Sequence, residues 1–548
     1  MLMGRAMAGW RRRRHGSLVL ALALGLATVG CGAAGGDVGD VGDAAERGTP
    51  SPTTTAATTT TRPTWLAPIV PETPAAIGDQ LAIASWSVAG TTPIEPTRSL
   101  SVDEFGAVAD DDRSDSAAFA AAVAAARALD GPVLIEVPTG TYHLTETLRL
   151  DDGITLRGAG PASQLVLEVG DAAGISATGT APDTWNRITA APRVGDVRVE
   201  VDDPARYRPG DLVELEQDND PDRMYTRPEW QVAWGAGSVG ELNRVLDVDV
   251  ERGALLLLSP LNADYDPRLS PRIRPVDPVE QVGVESLSVF RRDEGYGSTI
   301  RFELAADVWV DEVVSRRTSR AHVGMNQVYR CRVEDSILHD ATDFGDGGRA
   351  YGVSLARHAT GCLVVNNTLY DLRHAIIVQL GASGNVIGYN HARGSAGYED
   401  RQPRADLSLH GHWAQANLFE GNIVDRAVSS DWWGPSGPAN TLYRNCVRDH
   451  VIVTDGSDAQ VVVGNVVGPG GLTVDDDIAD TVAIGNLVIG PTAGPVAGAG
   501  GPATFPPSLW TTTAPDFLEG FAWPPIDPAT TGDRCDLPAS ERSPLGNR

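Results

Sequence analysis

The sequence predicts an all-β protein: a right-handed parallel β-helix, or solenoid, with an N-terminal capping helix and a β-rich insertion. Three observations lead there. With 60 Gly and 6% aromatics in 548 residues, the composition suits many strands and turns better than a helical bundle. Seven short segments share one pattern: CRVEDS at 331, CLVVNN at 362, NVIGYN at 385, NLFEGN at 417, NTLYRN at 440, QVVVGN at 460 and TVAIGN at 481. Their sixth position is Ser336, then Asn367, Asn390, Asn422, Asn445, Asn465 and Asn486. The segments start 31, 23, 32, 23, 20 and 21 residues apart, the period of stacked units that cannot each bury a face alone. An inward Asn on every rung bonds to its copies above and below, which satisfies polar groups that stacking would otherwise strand.

The elements follow in order. Residues 1–30 read as a signal peptide, with RRRR at 11–14 before the apolar run SLVLALALGLATVG, which is short for a membrane span. Residues 31–66, rich in Thr, Pro and Gly, cannot bury a core and read as a flexible linker. Residues 67–184 hold the cap and first coils. Within them, 101–144 reads as strand, polar loop, Ala-rich helix and strand, with Ser114 or Asp115 placed to cap the helix. Residues 185–275 break the rhythm and read as a β-rich insertion. Its Tyr225, Trp230 and Trp234 serve either core packing or sugar stacking. Residues 276–500 carry the asparagine coils. The Pro-rich tail, 501–548, is expected to cover the open end of the solenoid, because an uncovered end is an adhesive sheet edge.

Charge and cysteine usage narrow the class. Net charge is −28, and all 44 basic residues are Arg, so no Lys is available as a base or phosphate ligand. The acidic balance argues against nucleic acid and against an anionic membrane surface. TVGC at 28–31 resembles a bacterial lipobox, which implies a lipid on Cys31. Cleavage there removes five Arg and no acid, taking the charge from −28 to −33. The expectation is a secreted protein held at a bacterial cell envelope by that lipid alone, and monomeric. Disulfides are permitted in that compartment, and Cys331, Cys362, Cys446 and Cys535 allow three pairings. Cys331 and Cys362 share the first position of their rungs, where a disulfide and a stack of buried thiols both fit, the thiol stack being preferred because Cys is often simply a small core residue.

Residues 101–144 followed by LRLDDGITLRGAG resemble the opening of the pectate-lyase-like β-helix superfamily. The resemblance covers roughly 99–160 and extends more loosely through the asparagine coils to about 490. It implies that the strand–helix start caps the solenoid, and that the substrate is a polysaccharide cut by lyases or glycosidases. It also implies an Arg or Lys base, commonly with calcium. Arg373 is the nearest analogue by position type, and no cofactor follows from the residues themselves.

The register turns sequence into neighbours, since equal offsets in successive coils stack at about 4.8 Å. Asp340 then meets Asp371, and Asp343 meets His374. Two long coils put their extra residues, 343–351 and 394–406, on either side of the short coil that carries Asp371, Arg373 and His374. Loops on a rigid scaffold are where sites are built. The catalytic candidates are His374, Arg373, Asp371, Asp343 and Asp346, with Arg349, Tyr351, Tyr398, Glu399, Arg401 and Arg404 around them. A second group on the preceding stretch comprises Arg357, Gln379, His410, His412 and Trp413, rimmed by Asp431, Trp432 and Trp433. His410 and His412 share a strand face and could bind metal, although spacing identifies no third ligand.

Elimination from a uronate needs a base, here His374 or His410, and Arg side chains to hold the carboxylate. Hydrolysis needs two carboxyls, about 5–5.5 Å apart for retention or about 6.5–9.5 Å for inversion. Asp340 with Asp371 suits the first spacing, and Asp343 or Asp346 with Asp371 the second. The Arg and His residues tilt the reading to elimination on an acidic polysaccharide, although the negative surface would repel a polyanion. Glycoside hydrolysis, epimerisation and a non-catalytic glycan-binding or adhesin role stay open.

Overall fold

The computed structural model describes residue 83 and residues 85–345, 347–396, 405–429, 433–490, 494–495, 505–529 and 535–542. The expected signal peptide, Cys31 and linker lie outside the described residues. Three parallel faces wind into a right-handed solenoid. The first face has twelve strands, from Arg98–Ser101 to Val482–Ile484, paired only with their copies one coil away. The second face runs from Gly140–Leu144 to Leu487–Val488. The third runs from Leu148–Arg149 to Gly471–Val474, and the long strands Ile423–Ser429 and Cys446–Val453 bend through both of these faces.

The apolar segments form the core because equal offsets stack. On the first face Val284, Val310, Val333, Val364, Ile387, Phe419, Leu442 and Val462 pair in one column, all buried. Burying each contributes about 1.5–3 kcal/mol. The third face contributes Val353, Ile376, Leu407, Ala427 and Val451 in the same way.

The asparagine ladder stands at the two-residue turn between the first and second faces. Each Nδ2 donates to the next Oδ1: Asn367 to Asn390 at 3.0 Å, Asn390 to Asn422 at 3.0 Å and Asn422 to Asn445 at 2.9 Å. The series continues from Asn445 to Asn465 and from Asn465 to Asn486. Ser336 ends it by donating its backbone N–H to Asn367 Oδ1. A second ladder runs along the first position of the rungs, from Asn385 through Asn417 and Asn440 to Gln460. Asn422→Ala is expected to destabilise the protein by about 2–3 kcal/mol, because it strands the backbone N–H and Nδ2 of Asn390 and the carbonyl of Ile387 in a dry interior. Urea unfolding of the variant checks this.

The helix Ser116–Arg127 caps the first coil by burying Ala118, Phe119, Ala122, Val123 and Ala126, with Phe119 edge-on to Tyr142 at 5.7 Å. Asp115 occupies the N-cap position, but its carboxylate accepts from Val108 and His143 backbone N–H groups at 2.9 Å and so ties the helix to the coil instead of capping it.

The insertion is a six-stranded antiparallel sheet, from Asn186–Arg187 to Arg272–Val276. The first face resumes across it in register, Thr155 against Gly283. It is welded to the solenoid by buried polar contacts. His358 Nδ1 meets Glu214 Oε1 at 2.7 Å, Arg274 reaches the other Glu214 oxygen at 2.6 Å, and Gln327 donates to Glu214 at 2.8 Å. Gly381, at φ +76°, approaches so closely that a Cβ would lie 1.8 Å from the Ser238 carbonyl oxygen.

The described part of the C-terminal tail lies along the side of the solenoid instead of over its end. Phe505 packs on Gly464 and Gly485, Leu509 donates its backbone N–H to Glu420, and Arg542 pairs with Asp335. The tail therefore runs back along the edge between the first and second faces. A disulfide from Cys446 to Cys535 holds it there, and its apolar residues Leu518, Ile526 and Leu537 cover Ile423 and Val466. Outward apolar residues on those coils are what the tail covers. Cys331 and Cys362 are free, buried thiols, the preferred of the two arrangements that their shared rung position allows.

Candidate functional site

The corner between the second and third faces carries the candidate site. Strand pairing places His339 opposite Tyr370, so Asp340 stands over Asp371 one coil on. Both acids adopt left-handed backbone conformations, φ 61° and 55°, where the chain turns between faces. Their backbones therefore stand side by side at about the strand spacing, ~4.8 Å, with Asp371 Oδ1 beside Gly394 on the next coil. The rings of His339 and Tyr370 stack flat beside them, with centroids 4.6 Å apart and planes 17° apart. His339 Nδ1 lies 3.2 Å from Asp340 Oδ2. The Asp340 side chain is 47% exposed, and Asp371 is exposed.

The electrostatics of the corner act on Asp371. Partial burial and the facing Asp340 carboxylate push Asp371 up from the ordinary aspartate range, and His339 pulls it partly back. Burial, followed by the two acids, pushes the Tyr370 phenol up to about 12. Burial lowers His339, and Asp340 opposes that shift. The corner thus offers one carboxyl raised above the ordinary aspartate range, with a second aspartate one coil away.

The two long loops leave the chain on the coils before and after Asp371. In the first, Tyr296 donates to the Gly347 carbonyl, Arg349 pairs with Asp343, and Gly345 N–H donates to Asp343 Oδ1 at 2.7 Å. The guanidiniums of Arg320 and Arg349 both lie against the Tyr296 ring, at 5.3 and 5.1 Å. Of the second loop, Ala396 donates its N–H to Leu372 O and Ala405 accepts from the His374 side. Asp346, Tyr398, Glu399, Arg401, Arg404, Asp431 and Trp432 lie outside the described residues.

Offset counting fails at one place. Tyr351, not Asp343, is opposite His374, with ring centroids 5.5 Å apart. The extra residues of the long coil are looped out between the corner and the third face, and strand hydrogen bonding restores the register only at Tyr351. Arg373 and His374 also differ from an open pair. His374 is 3% exposed and its Nδ1 meets the Ala405 carbonyl at 3.0 Å. Arg373 is 8% exposed and donates to the Gly345 carbonyl at 3.4 Å, so it braces the loop wall.

The second group lies beneath the insertion. Arg357 donates to the carbonyls of Trp234 and Ala236. His412, fully buried, meets the Trp230 carbonyl at 2.8 Å. Trp234 packs against His410, His412 and Trp433 with centroids 5.1–6.3 Å apart. His410 Nδ1 meets the Gly411 carbonyl, so the two imidazoles of the His-x-His stretch point to different partners. Gln379 donates to Ser354 Oγ at 3.4 Å, and Arg223 lies over Trp413 at 5.9 Å. Trp413 also lines a cavity of about 660 Å³ between the insertion and the solenoid.

Sequence reasoning passed over His339 and Tyr370, although each falls eight residues after Cys331 and Cys362 and the same count finds them. Continued, it gives Arg393, Asp425 and Arg448, the outward column below them.

A solenoid of three parallel faces with an asparagine ladder and a helix-capped first coil has the fold of the pectate-lyase-like parallel β-helix proteins. Residues 99–190 match the family model described as rhamnogalacturonase A/epimerase, pectate lyase-like. No curated protein matches the chain. Among solved structures, the tailspike protein gp49 from Pseudomonas phage LKA1 is 17% identical with a TM-score of 0.52, covering 67% of this chain and 64% of the tailspike. The chain therefore spans slightly less than two thirds of that tailspike's length. The A-module of the Azotobacter vinelandii mannuronan C-5 epimerase AlgE4 is 13% identical, covering 71% of this chain and 87% of that module, with a TM-score of 0.38. The catalytic unit of the GH87 α-1,3-glucanase from Streptomyces thermodiastaticus strain HF3-3 is 13% identical, covering 74% and 63%, with a TM-score of 0.32.

Proposed function

We propose that the protein is a carbohydrate-active enzyme that cleaves glycosidic bonds of a polysaccharide at the corner carrying Asp340 and Asp371, and that it does so by hydrolysis. The observation that supports this is the exposed, stacked carboxyl pair with one member pushed toward its protonated form. In this reading Asp371 protonates the leaving oxygen as Asp340 attacks the anomeric carbon from the adjacent coil, and water then breaks the glycosyl–Asp340 ester while Asp371 takes up its proton. Their one-coil separation suits retention of configuration. The flat His339–Tyr370 surface gives a sugar ring an apolar face to lie on.

Elimination needs an open base facing the substrate. His374 is enclosed and held by Ala405, which weakens the tilt toward a uronate lyase. A neutral glycan also removes the repulsion that the net charge of −28 would impose on a polyanion. The lipobox-like Cys31 would tether this activity at the cell envelope.

A panel of neutral and acidic polysaccharides tests the proposal, with new reducing ends and the absorbance of unsaturated uronates followed together. Reducing ends without absorbance are expected. Absorbance rising in step with reducing ends would replace hydrolysis by elimination, and neither signal on any polymer would replace catalysis by binding.

A further inference from the structure

Far from the catalytic corner, the outer side of the first face carries an arrangement that strand pairing should disfavour. Glu285, Asp311 and Glu334 occupy the same outward position on three consecutive coils. Like charges directly opposite one another in a sheet are destabilising, and parallel stacking holds these at about 4.8 Å. At the adjoining turn Glu312 and Asp335 add two more carboxylates, and both raise Asp311 electrostatically. Only three guanidiniums answer these five charges. Arg157 pairs with Glu285 at 2.5 Å, Arg332 lies against Glu334, and Arg542 reaches Asp335 at 3.5 Å. An excess of two negative charges remains, and among the described residues Asp311 forms no close ion pair, Arg332 only partly offsetting its acidic neighbours.

Geometry concentrates that excess. One oxygen each of Asp311, Glu334 and Asp335 lies within 4.8 Å of the others. A calcium ion holding oxygens at about 2.3–2.6 Å spans such a triangle. A second, independent feature points the same way. Asn366, 1% exposed, follows Asp335 one coil on, and its Nδ2 donates to Asp335 Oδ1 at 2.5 Å. The Oδ1 of the same amide is buried with no hydrogen-bond partner. A buried, unsatisfied amide oxygen on the side chain that holds Asp335 adds the kind of oxygen a hard cation takes to three clustered carboxylates. A second acidic cluster among the described residues, around Glu214 and Glu216, differs because Arg272 and Arg274 already fill it.

We infer that Asp311, Glu334, Asp335 and Asn366 form a structural calcium site that locks three coils of the first face together. It lies across the second face from Asp371 and is independent of the catalytic reading. Magnesium, which demands a tighter octahedron at about 2.0–2.1 Å, fits the wide triangle less well.

Calcium chloride titrated into the EDTA-treated full chain tests this by calorimetry and thermal unfolding. One equivalent of calcium is expected to bind, and Tm to rise by at least about 1 °C at calcium 100-fold above Kd. Asp311→Asn combined with Asp335→Asn is expected to abolish both effects while keeping side-chain shape. Trp309, whose indole donates to Glu285 at 2.5 Å, gives a second readout. Terbium bound at the site should luminesce on tryptophan excitation, and Trp309→Phe should dim it without loss of calcium binding. No heat and no Tm change at millimolar calcium, the same Tm rise in the double variant, or an equal response to magnesium would each overturn the assignment.

Discussion

Asp371→Asn is expected to lower turnover by about 10²–10⁴-fold, the span typical for loss of a general acid, while shifting Tm by less than about 1 °C. The small stability effect follows from exposure: the carboxyl projects at the corner. It is raised by burial and by Asp340, so an amide there also relieves a repulsion. Asp340→Asn should fall at least as far, because it removes the nucleophile. His374→Ala is the informative contrast. Its ring is 3% exposed and packed on Tyr351, so the change should lower Tm. Steady-state kinetics on the polymer that releases reducing ends, with Tm measured beside them, checks all three. Unchanged turnover in Asp371→Asn would remove the corner as the catalytic site.

Glu214→Ala is expected to cost about 3–5 kcal/mol, because it removes the buried carboxylate that both His358 and Arg274 contact. Burial pushes the Glu214 carboxyl up, but His358 and Arg274 outweigh burial and hold it at about 2. An unfolded glutamate titrates near 4.3. The folded value is the lower one, so this stabilisation is fully present above about 4.3 and is lost as pH falls through about 2. The difference corresponds to about 3 kcal/mol at neutral pH. Denaturant unfolding between pH 2 and 7 should show the loss in the wild type. In Glu214→Gln, which keeps the shape and removes the charge, the dependence on pH should flatten.

How far the sequence could be read depended on where residues are inserted into the coil. From Cys331 and Cys362 to Asp340 and Asp371 nothing is inserted, so counting equals register, and the Asp340–Asp371 stack follows from the sequence alone. Beyond Asp343 the loop length differs between coils, and the pairing of Tyr351 with His374 follows from strand hydrogen bonds that no count contains. The stacking of Cys331 on Cys362 was legible for the same reason as the acids, whereas the count left open whether they form a disulfide. The disulfide from Cys446 to Cys535 was not, because one partner lies on the tail, outside any repeat.

The sequence by itself determined the rungs, the inward columns and the asparagine ladder, because a periodic solenoid converts spacing directly into contact. Only the tertiary structure decided which outward side chains stay open to a substrate. His412 lies under the Trp230 carbonyl, 182 residues earlier in the chain, and Arg357 is bound to a loop of the insertion. Those covers are contributed by segments that obey no repeat. The physical reason is that burial of an outward residue depends on what docks over it, and docking rests on long-range contacts such as His358 with Glu214 that leave no local pattern. Asp371 and Asp340 remain exposed at a turn where the chain itself projects them.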